Sequence, residues 1–257
     1  MNKTENHLKL TILGAGTGVP LKNRQAPGLV VEGGETLLLL DSGSGAAYQL
    51  ARAGFKYYQF DHLLYSHYAH PDHINDLAEL IFANAYFDPP RNRSLNVYGP
   101  PGIQDFIENL FHLYPVLGKA EFPIKTYELN QGKFIIEDIT IETKPLDHQK
   151  HASIGYRIEY QGKSIVYSGD TDYCSALIEL SQNGDLLVVE CSFPDGYKVK
   201  GHLTPSEIGE IANRAGAKKV ILTHLYPICD QFDVVYQVKK KFGGAVILAE
   251  DLMTLRI

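Results

Sequence analysis

Short apolar runs, each bounded by Gly, Asp or Asn, are the feature that most limits what this chain can fold into. Runs rich in Val, Ile, Leu and Tyr predict β-strands, because β-branched and aromatic side chains pack well on a pleated sheet. The predicted strands are residues 8–13, 28–32, 36–41, 62–66, 95–99, 133–144 (a hairpin), 154–160, 163–170, 185–190, 218–224, 245–250 and 252–257. Amphipathic segments predict helices over residues 45–53, 73–85, 102–113, 174–182, 205–215 and 231–242.

The order of these elements favours one fold class. Strands dominate both halves of the chain, and hairpin-like strand pairs are too frequent for a plain doubly wound sheet. An α/β fold of the αββα type, a four-layer sandwich of two packed sheets with helices outside, fits this order. Because no linker, charge block, repeat or low-complexity tract divides the sequence, a single domain over residues 1–257 is predicted.

Composition narrows the class of protein further. Of the 257 residues, 44% are apolar and 21% are charged, which is typical of a globular chain with a sizeable core. The N-terminal segment MNKTENHLKL is polar, and no stretch approaches the roughly 18 apolar residues of a membrane span. Neither a secretory signal nor a membrane segment is therefore expected. Three scattered cysteines favour a reducing compartment, so we expect a cytoplasmic protein.

A dense group of metal-binding side chains follows the strand predicted over residues 62–66. The stretch YSHYAHPDHI places His67, His70, Asp72 and His73 within seven residues, before an amphipathic helix. Neutral imidazoles and carboxylates bind zinc, iron and manganese, and the end of a strand would hold them rigidly. The alternative is a surface cluster of histidines or a set of hydrogen-bonded core histidines.

Three further candidates lie at or near the ends of other predicted strands. His148 follows the hairpin, Asp170 ends KSIVYSGD, and His224 ends KKVILTH. A single residue of this kind is more often a cap or a turn residue. Four strands that each deliver His or Asp to their C-terminal ends instead favour one composite metal site.

The segment GAGTGVP over residues 14–20 is similar to a dinucleotide-binding loop but fails its requirements. The GxGxxG fingerprint needs a third glycine where this chain has Val19, and it needs a helix to begin at once. Pro20 and the polar residues after it prevent that helix, so a Gly-rich turn is predicted instead.

Taken in order, SHYAHPDH, LDH, SGDT and LTH resemble the motifs of the metallo-β-lactamase fold hydrolases. Within that superfamily, LTILGAGTGVPLKNRQAPGLVV followed by LLLLDSGSG resembles the branch of ribonuclease Z and small phosphodiesterases. The likeness extends from Leu8 to about Asp251, and its motifs are specific as a set. It implies a metal-dependent hydrolase, in the first place a phosphodiesterase that acts on a small or nucleotide-like phosphodiester.

The resemblance also implies a dinuclear metal centre, with zinc as the expected metal and manganese or iron as alternatives. The first ion would be bound by His67, His70 and His148, the second by Asp72, His73 and His224, and both by Asp170. A hydroxide that bridges the ions would be the nucleophile, because two ions about 3.5–4 Å apart lower the pKa of bound water. We expect Asp72 to serve catalysis as well as metal binding.

One spacing departs from the family pattern HxHxDH. Both Tyr68 and Ala69 separate His67 from His70, which is one residue more than the pattern contains. Either a bulge at the strand end lets His67 reach the first metal, or Tyr68 takes the place of the first histidine. We favour the bulge, because Ser66 and His67 keep the family pairing of Ser or Thr with His and because bulges are common near functional sites.

The resemblance to ribonuclease Z further implies a general acid. In that branch a strand-end Glu orients a His that protonates the leaving oxygen, and Glu190 and His202 match these positions. Val189 stands where ribonuclease Z typically has a second His. A general acid typically accelerates a reaction by about 10²–10⁴-fold. Otherwise, His202 would belong to the turn before the helix over residues 205–215.

The expected substrate is small. Ribonuclease Z enzymes carry a long basic arm between the positions that match His148 and Asp170, where this chain has only 21 residues. The missing arm and the formal net charge of −6 disfavour nucleic acid as a partner without excluding it. We therefore expect a small-molecule phosphodiester or ester substrate and no membrane partner, and the sequence permits a homodimer.

Three alternatives remain for the function. The first is hydrolysis of a carboxylic or sulfate ester or a lactone on the same metal core, since one fold supports many reactions. The second is tRNA 3′-processing by an endoribonuclease without the usual arm, and the third is a non-enzymatic metal-binding relative. A substrate entrance is predicted at residues 84–93 and 114–124, where Tyr86, Phe87 and Tyr114 would suit a ring-bearing substrate or serve packing.

Overall fold

A computed structural model describes residues 7–86 and 91–257 of the chain, and these residues form two seven-stranded sheets. The strands of the first sheet are β1 (Leu8–Gly14), β2 (Gly28–Gly33), β3 (Thr36–Ser42), β4 (His62–Leu64), β5 (Leu95–Gly99), β6 (Ile124–Glu128) and β14 (Thr254–Arg256). Those of the second sheet are β7 (Gly132–Ile136), β8 (Ile139–His148), β9 (His151–Tyr160), β10 (Lys163–Tyr167), β11 (Leu186–Glu190), β12 (Lys219–Thr223) and β13 (Ala245–Leu248).

Helices cover the outer face of each sheet. Those on the first sheet are α1 (Ala46–Arg52), α2 (Pro71–Ile74), α3 (Leu77–Tyr86) and α4 (Ile103–Leu113). Those on the second sheet are α5 (Ser175–Leu180), α6 (Pro205–Ala215) and α7 (Val234–Lys239). Short 3-10 helices lie at Tyr57–Gln59, Leu117–Lys119 and Pro227–Gln231. The layers run helix, sheet, sheet, helix, which confirms the predicted αββα sandwich.

Both sheets combine antiparallel and parallel pairing. The first has the order β14-β1-β2-β3-β4-β5-β6, antiparallel from β14 to β3 and parallel from β3 to β6. The second has the order β13-β12-β11-β10-β9-β8-β7, parallel from β13 to β10 and antiparallel from β10 to β7. Consequently β3 and β4 end at one edge of the first sheet, and β8, β10, β11 and β12 end together at one edge of the second.

The apolar runs are buried on both faces, which explains why they are continuous rather than alternating. Leu38 and Leu40 of β3 belong to the core between the sheets, together with Ile158 and Ile165 of the second sheet. Leu39 belongs instead to the core between the first sheet and its helices. Side chains of one strand thus join two separate apolar layers, as the pleat of a strand requires.

Three elements differ from the sequence-based expectation. The helix predicted over residues 73–85 is divided into α2 and α3, because the backbone N–H of Asp76 donates to the carbonyl of Ser42 at 3.0 Å. Strand β6 was not predicted, since its residues are half-buried or exposed and carry a weak apolar pattern. Strand β8 continues past residue 144 and ends at His148, and it pairs with β9 from Thr140 to that end.

The cytoplasmic location and the single domain over residues 1–257 stay predictions. In the described part of the chain, every helix is too short or too polar to cross a membrane. Cys174, Cys191 and Cys229 are free thiols. These observations do not test either expectation.

Candidate metal centre

The seven predicted metal ligands meet where strand ends of the two sheets face each other. Their nitrogen and oxygen atoms form groups whose members all lie within 4.8 Å of one another. One group consists of His67, His70, His148 and Asp170, and another of Asp72, His73 and His224. A third group joins Asp170 and His224 to His202. The structure therefore brings all the predicted ligands together and places the predicted general acid beside them.

Strand ends and one helix start position these side chains. His148 is the last residue of β8, while Asp170 and His224 lie in the segments directly after β10 and β12. Pro71 occupies the first turn of α2, so His70 is the N-cap residue and His73 lies in the same short helix. Proline suits this position because its fixed φ matches a helix start and its missing N–H is not needed there.

The two side chains at the irregular spacing point in opposite directions. His67 is fully buried, and its Nε2 lies 3.1 Å from Nδ1 of His70. Tyr68 turns away from the cluster, donates its hydroxyl to the carbonyl of Pro101 at 3.0 Å and packs against Phe106. The pairing of β4 with both neighbours is regular, so the extra residue is not a bulge in the strand. Bends between β4 and α2 accommodate it instead.

Asp170 lies between the two main groups. Its Oδ2 is 4.0 Å from Nε2 of His67 and 3.9 Å from Nε2 of His148. Its Oδ1 is 3.3 Å from Nε2 of His73 and 3.4 Å from Nε2 of His224. Among the described residues, no well-aligned hydrogen bond reaches the buried Oδ1. Buried carboxylates are normally paired or bound to metal, so this donor set fits two divalent ions with Asp170 between them.

Hydrogen bonds hold the outward ring nitrogens of the histidines. Nδ1 of His73 donates to the carboxylate of Asp41 at 2.8 Å, and Nδ1 of His148 donates to the carbonyl of Gly201 at 2.9 Å. Nε2 of each ring then faces the cluster, 3.3 Å from Oδ1 of Asp170 for His73 and 3.9 Å from Oδ2 for His148. Proteins orient metal-binding histidines in this way.

Asp41 is a supporting residue that the sequence analysis did not single out. It is completely buried at the end of β3 and accepts hydrogen bonds from the N–H of Ser66 at 2.7 Å and from the hydroxyl of Tyr167 at 2.7 Å. Its φ of 53° is in the left-handed region, which Asp tolerates better than most residues. The signal that found the ligands, an acidic residue at the end of an apolar strand, also marks Asp41.

The charges in the cluster match the protonation states that metal binding needs at Asp170, Asp72 and His67, but not at His73. Burial lowers the pKa of His73, but the charges of Asp170 and Asp41 outweigh burial and raise that pKa well above its ordinary value. Burial alone would raise the pKa of Asp170, but His224 and His73 outweigh burial and hold that pKa well below its ordinary value. Burial likewise raises the pKa of Asp72, and the hydrogen bond and charges of His224 and His73 lower it to about 2. Burial lowers the pKa of His67. Ionised carboxylates and a neutral imidazole are the forms that bind metals.

Glu190 and His202 form a hydrogen-bonded pair beside the cluster. Glu190 is completely buried at the end of β11, and its Oε1 accepts the Nδ1–H of His202 at 3.1 Å. The N–H groups of Thr171 and Leu203 donate to the same carboxylate at 2.7 and 3.2 Å. Burial lowers the pKa of His202, but the hydrogen bond and charge of Glu190 outweigh it and raise that pKa. Nδ1 of His202 lies 4.0 Å from Oδ2 of Asp170.

The start of α6 fixes the loop that carries His202. Thr204 precedes Pro205 of the first turn, and its N–H donates to the carboxylate of Glu207 at 2.8 Å, which confirms the predicted helix start. Lys198 donates its ammonium group to Glu207 at 2.7 Å and to the carbonyl of His202 at 2.6 Å. The side chain of His202 is therefore held by Glu190, and its backbone carbonyl is held by Lys198.

Ser192 connects the acid pair to the metal cluster and was also missed by the sequence analysis. Its hydroxyl donates to Glu190 and lies 2.9 Å from Nδ1 of His224. A hydroxyl two residues beyond a strand-end Glu is the local signal for this role. The backbone of His224 has a φ of 55°, a strained conformation that is most frequent at functional sites.

A cavity of about 540 Å³ opens beside the loop between β4 and α2. Tyr114 of the predicted entrance lines this cavity, together with Tyr68 and Phe106. Tyr86 instead donates its hydroxyl to a backbone carbonyl at 2.8 Å, and Phe87 lies outside the described residues. Of the three aromatic residues predicted at an entrance, Tyr114 therefore lines an opening, but the described residues that line this opening include none of the seven predicted ligands.

Fold and site define a metallo-β-lactamase fold hydrolase, and the chain belongs to this superfamily. The model of the family described as "Beta-lactamase superfamily domain" matches residues 36–225. Ribonuclease Z of Methanosarcina acetivorans is 27% identical over 307 aligned positions, which cover 97% of this chain and 98% of the relative.

Solved structures agree with this assignment. The metallo-β-lactamase fold protein YhfI from Bacillus subtilis is 27% identical, with a TM-score of 0.86 over 98% of this chain and 100% of that one. Human tRNase Z, short form, is 24% identical, with a TM-score of 0.76 over 96% of this chain and 98% of that one. The resemblance to metallo-β-lactamase fold hydrolases and to ribonuclease Z is thereby confirmed.

The comparisons also correct the expected partner. The expectation of a small-molecule substrate, with nucleic acid disfavoured, is wrong, because the relatives bear the name ribonuclease Z. That expectation rested on the missing basic arm and on the net charge of −6. The net charge averages the whole surface and does not describe the edge where the cluster lies. The short segment between His148 and Asp170 consists of β9, β10 and the turns beside them, as expected. Because the alignment has 307 positions and this chain has 257 residues, that relative contains segments that this chain lacks.

Proposed function

We propose that this protein is a metal-dependent phosphodiesterase that hydrolyses RNA. The observation that carries the proposal is the Glu190–His202 pair, in which Nδ1 of His202 lies 4.0 Å from Oδ2 of Asp170. A ribose oxygen is a poor leaving group and needs a proton as the P–O bond breaks, so a positioned acid favours phosphodiester over activated-ester chemistry. The name of the relatives supports RNA as the source of that phosphodiester.

The seven clustered residues are proposed to hold two divalent ions, zinc in the first place and manganese or iron as alternatives. The ligands would be His67, His70 and His148 for one ion, Asp72, His73 and His224 for the other, and Asp170 for both. Bound ions would supply a Lewis acid and an activated water for attack on phosphorus.

His202 is proposed to deliver the proton to the leaving oxygen. Its Nδ1–H is held by Glu190, while none of the described residues hydrogen-bonds to its Nε2. The protonated ring gives its Nε2 proton to the ribose oxygen as the P–O bond breaks. Glu190 stabilises the charged imidazole before transfer and keeps the ring in the orientation that presents Nε2 to the substrate.

Asp72 is proposed to orient the attacking water. Its Oδ2 lies 3.5 Å from Nε2 of His224, and its side chain is 12% exposed, so it borders both the cluster and the solvent. A carboxylate with a pKa near 2 is a weak base. It therefore accepts a hydrogen bond from the water rather than removing its proton outright.

RNA cleavage by the metal-loaded protein tests this proposal. The substrates are an RNA stem with a 3′ extension, a single-stranded RNA, and a carboxylic ester and a lactone as the competing class. We expect RNA cleavage by the wild type and by His112→Ala, which alters an exposed histidine on α4. We expect none by Asp170→Asn. Hydrolysis of the ester or lactone without cleavage of either RNA would contradict the proposal and support the alternative.

A further inference from the structure

A stacked pair of aromatic side chains stands beside the proposed general acid. Phe193 follows Glu190 by three residues, and Tyr226 follows His224 by two. Their ring centroids are 4.8 Å apart with an angle of 17° between the ring planes. Both side chains are half-buried. Two segments that carry proposed active residues therefore each bring an aromatic ring to the same place.

The ring planes of the aromatic pair are steeply inclined to those of the two imidazoles next to it. The rings of His202 and His224 are themselves nearly parallel, at 13° and 5.9 Å between centroids. Phe193 lies 5.8 Å from His202 at 66°, and Tyr226 lies 5.8 Å from His224 at 80°. The pair thus forms a wall of the site on the side of His202.

Packing in the core does not account for these rings. Neither Phe193 nor Tyr226 belongs to the apolar core beneath α5, α6 and α7 or to the core between the sheets. Within the described residues, no hydrogen bond is made by the hydroxyl of Tyr226, although half-buried tyrosines usually satisfy that group. Part of each ring faces solvent at the edge of the site.

We propose that Phe193 and Tyr226 form a stacking platform for the nucleobase of the leaving nucleoside. This inference rests on the proposed function, since it takes the proton from His202 to reach the oxygen that leaves. The nucleoside attached to that oxygen must lie next to His202, and the aromatic pair is the planar surface there. Stacking of one base on an aromatic side chain raises affinity by about 5- to 150-fold and tolerates any sequence, because every base has a π-face.

A platform of this kind also suits a chain without a long basic arm. Attraction to many phosphates falls steeply with salt, whereas base stacking depends little on charge. Recognition would therefore concentrate on the nucleotides next to the scissile bond. The ligand class is a nucleotide with its phosphate at the metal cluster and its base against Tyr226.

Calorimetric titration of the zinc-loaded protein tests the platform without requiring turnover. The probes are adenosine 5′-monophosphate, adenosine 3′-monophosphate and, as the match without a base, ribose 5-phosphate. We expect the tighter of the two nucleotides to bind at least about fivefold more tightly than ribose 5-phosphate. Tyr226→Ala should remove this preference and Tyr226→Phe should keep it. The control Tyr48→Ala alters a tyrosine that is 71% exposed on α1 and should behave as wild type.

Zinc content and circular dichroism must match the wild type for each variant, and Tyr226→Leu replaces Tyr226→Ala if the smaller side chain prevents folding. Equal affinity of wild type for nucleotide and sugar phosphate would overturn the platform. So would a base preference that survives in Tyr226→Ala or Tyr226→Leu, or one that is lost in Tyr226→Phe. A base preference without RNA cleavage would refute the proposed function alone, and RNA cleavage without a base preference would refute the platform alone.

Discussion

Removal of the proposed proton donor should lower activity mainly on substrates whose leaving oxygen needs a proton. Nδ1 of His202 lies 4.0 Å from Oδ2 of Asp170, and neither His202 nor its partner Glu190 is among the seven proposed ligands. His202→Ala removes the acid, and Glu190→Gln removes the charge that holds and protonates it. Comparison of a poor leaving group with a good one separates this role from damage to the metal site.

The magnitude for Glu190→Gln follows from its hydrogen bonds. The carboxylate accepts from Thr171 and Leu203 N–H groups as well as from His202 and Ser192. A glutamine keeps one acceptor oxygen. Its NH₂ group replaces the second carboxylate oxygen of Glu190 and faces the donors that this oxygen accepts from in the wild type. One buried donor then loses its partner, which costs about 1–3 kcal/mol of stability. This loss affects all substrates equally, whereas the loss of the acid does not.

The assay measures kcat/KM for RNA and for bis-p-nitrophenyl phosphate, whose phenolate leaves without a proton. For His202→Ala we expect RNA cleavage to fall by about 10²–10⁴-fold and cleavage of the nitrophenyl ester by less than about 10-fold. The kcat/KM values of Glu190→Gln should lie between those of His202→Ala and wild type, again with the larger loss on RNA. Metal content, measured in parallel, should be unchanged in His202→Ala.

An equal loss on the two substrates would refute the reasoning, because His202 would then act on metal binding or folding rather than on the leaving group. The matched control is His112→Ala on the exposed face of α4. It should retain both activities.

Three further predictions concern the support of the cluster. Asp41→Asn weakens the hold on Nδ1 of His73 and should lower metal affinity by about 10–100-fold in a chelator competition, and unchanged affinity would contradict it. His67→Ala should lower the metal count from two to one per chain while Tyr68→Phe leaves it at two, and the reverse result would make Tyr68 the ligand. At Gly169 the φ is 55° and an added Cβ would lie 2.3 Å from Cβ of Ser66, so Gly169→Ala should destabilise the fold by about 1–3 kcal/mol in a denaturant titration. A change within about 0.5 kcal/mol would contradict that account.

The layers and the composite site could be predicted because their signals are local. A run such as TLLLLD is buried on both faces, and its apolar continuity is visible in the sequence. His148, Asp170 and His224 lie at or just after strand ends, and strands that end at one edge of a sheet bring their ends together. Residue type and strand end were therefore sufficient to find them.

The direction of Tyr68 could not be predicted, because distant residues determine it. Its hydroxyl bonds to Pro101 and its ring packs on Phe106, both more than thirty positions away. The end of β3 marks Asp41 in the sequence but does not identify its partners, since its bond to Tyr167 joins residues 126 positions apart. A spacing rule describes neighbours along the chain, and the bends after β4 respond to contacts that no such rule contains.

Net charge was misleading about the partner for a related reason. A total of −6 sums over the whole molecule, while recognition of one phosphodiester depends on a few groups at one edge. Aromatic rings at that edge, such as Tyr226, add affinity for a nucleotide that no count of lysines and arginines records.

Anomalous diffraction at the zinc edge, from crystals of the zinc-loaded protein, tests the central claim most directly. The account predicts two peaks about 3.5–4 Å apart. One peak should lie against His67, His70 and His148, the other against Asp72, His73 and His224, with Asp170 in contact with both. A single peak, or a first ion that contacts Tyr68 and leaves His67 free, would contradict it.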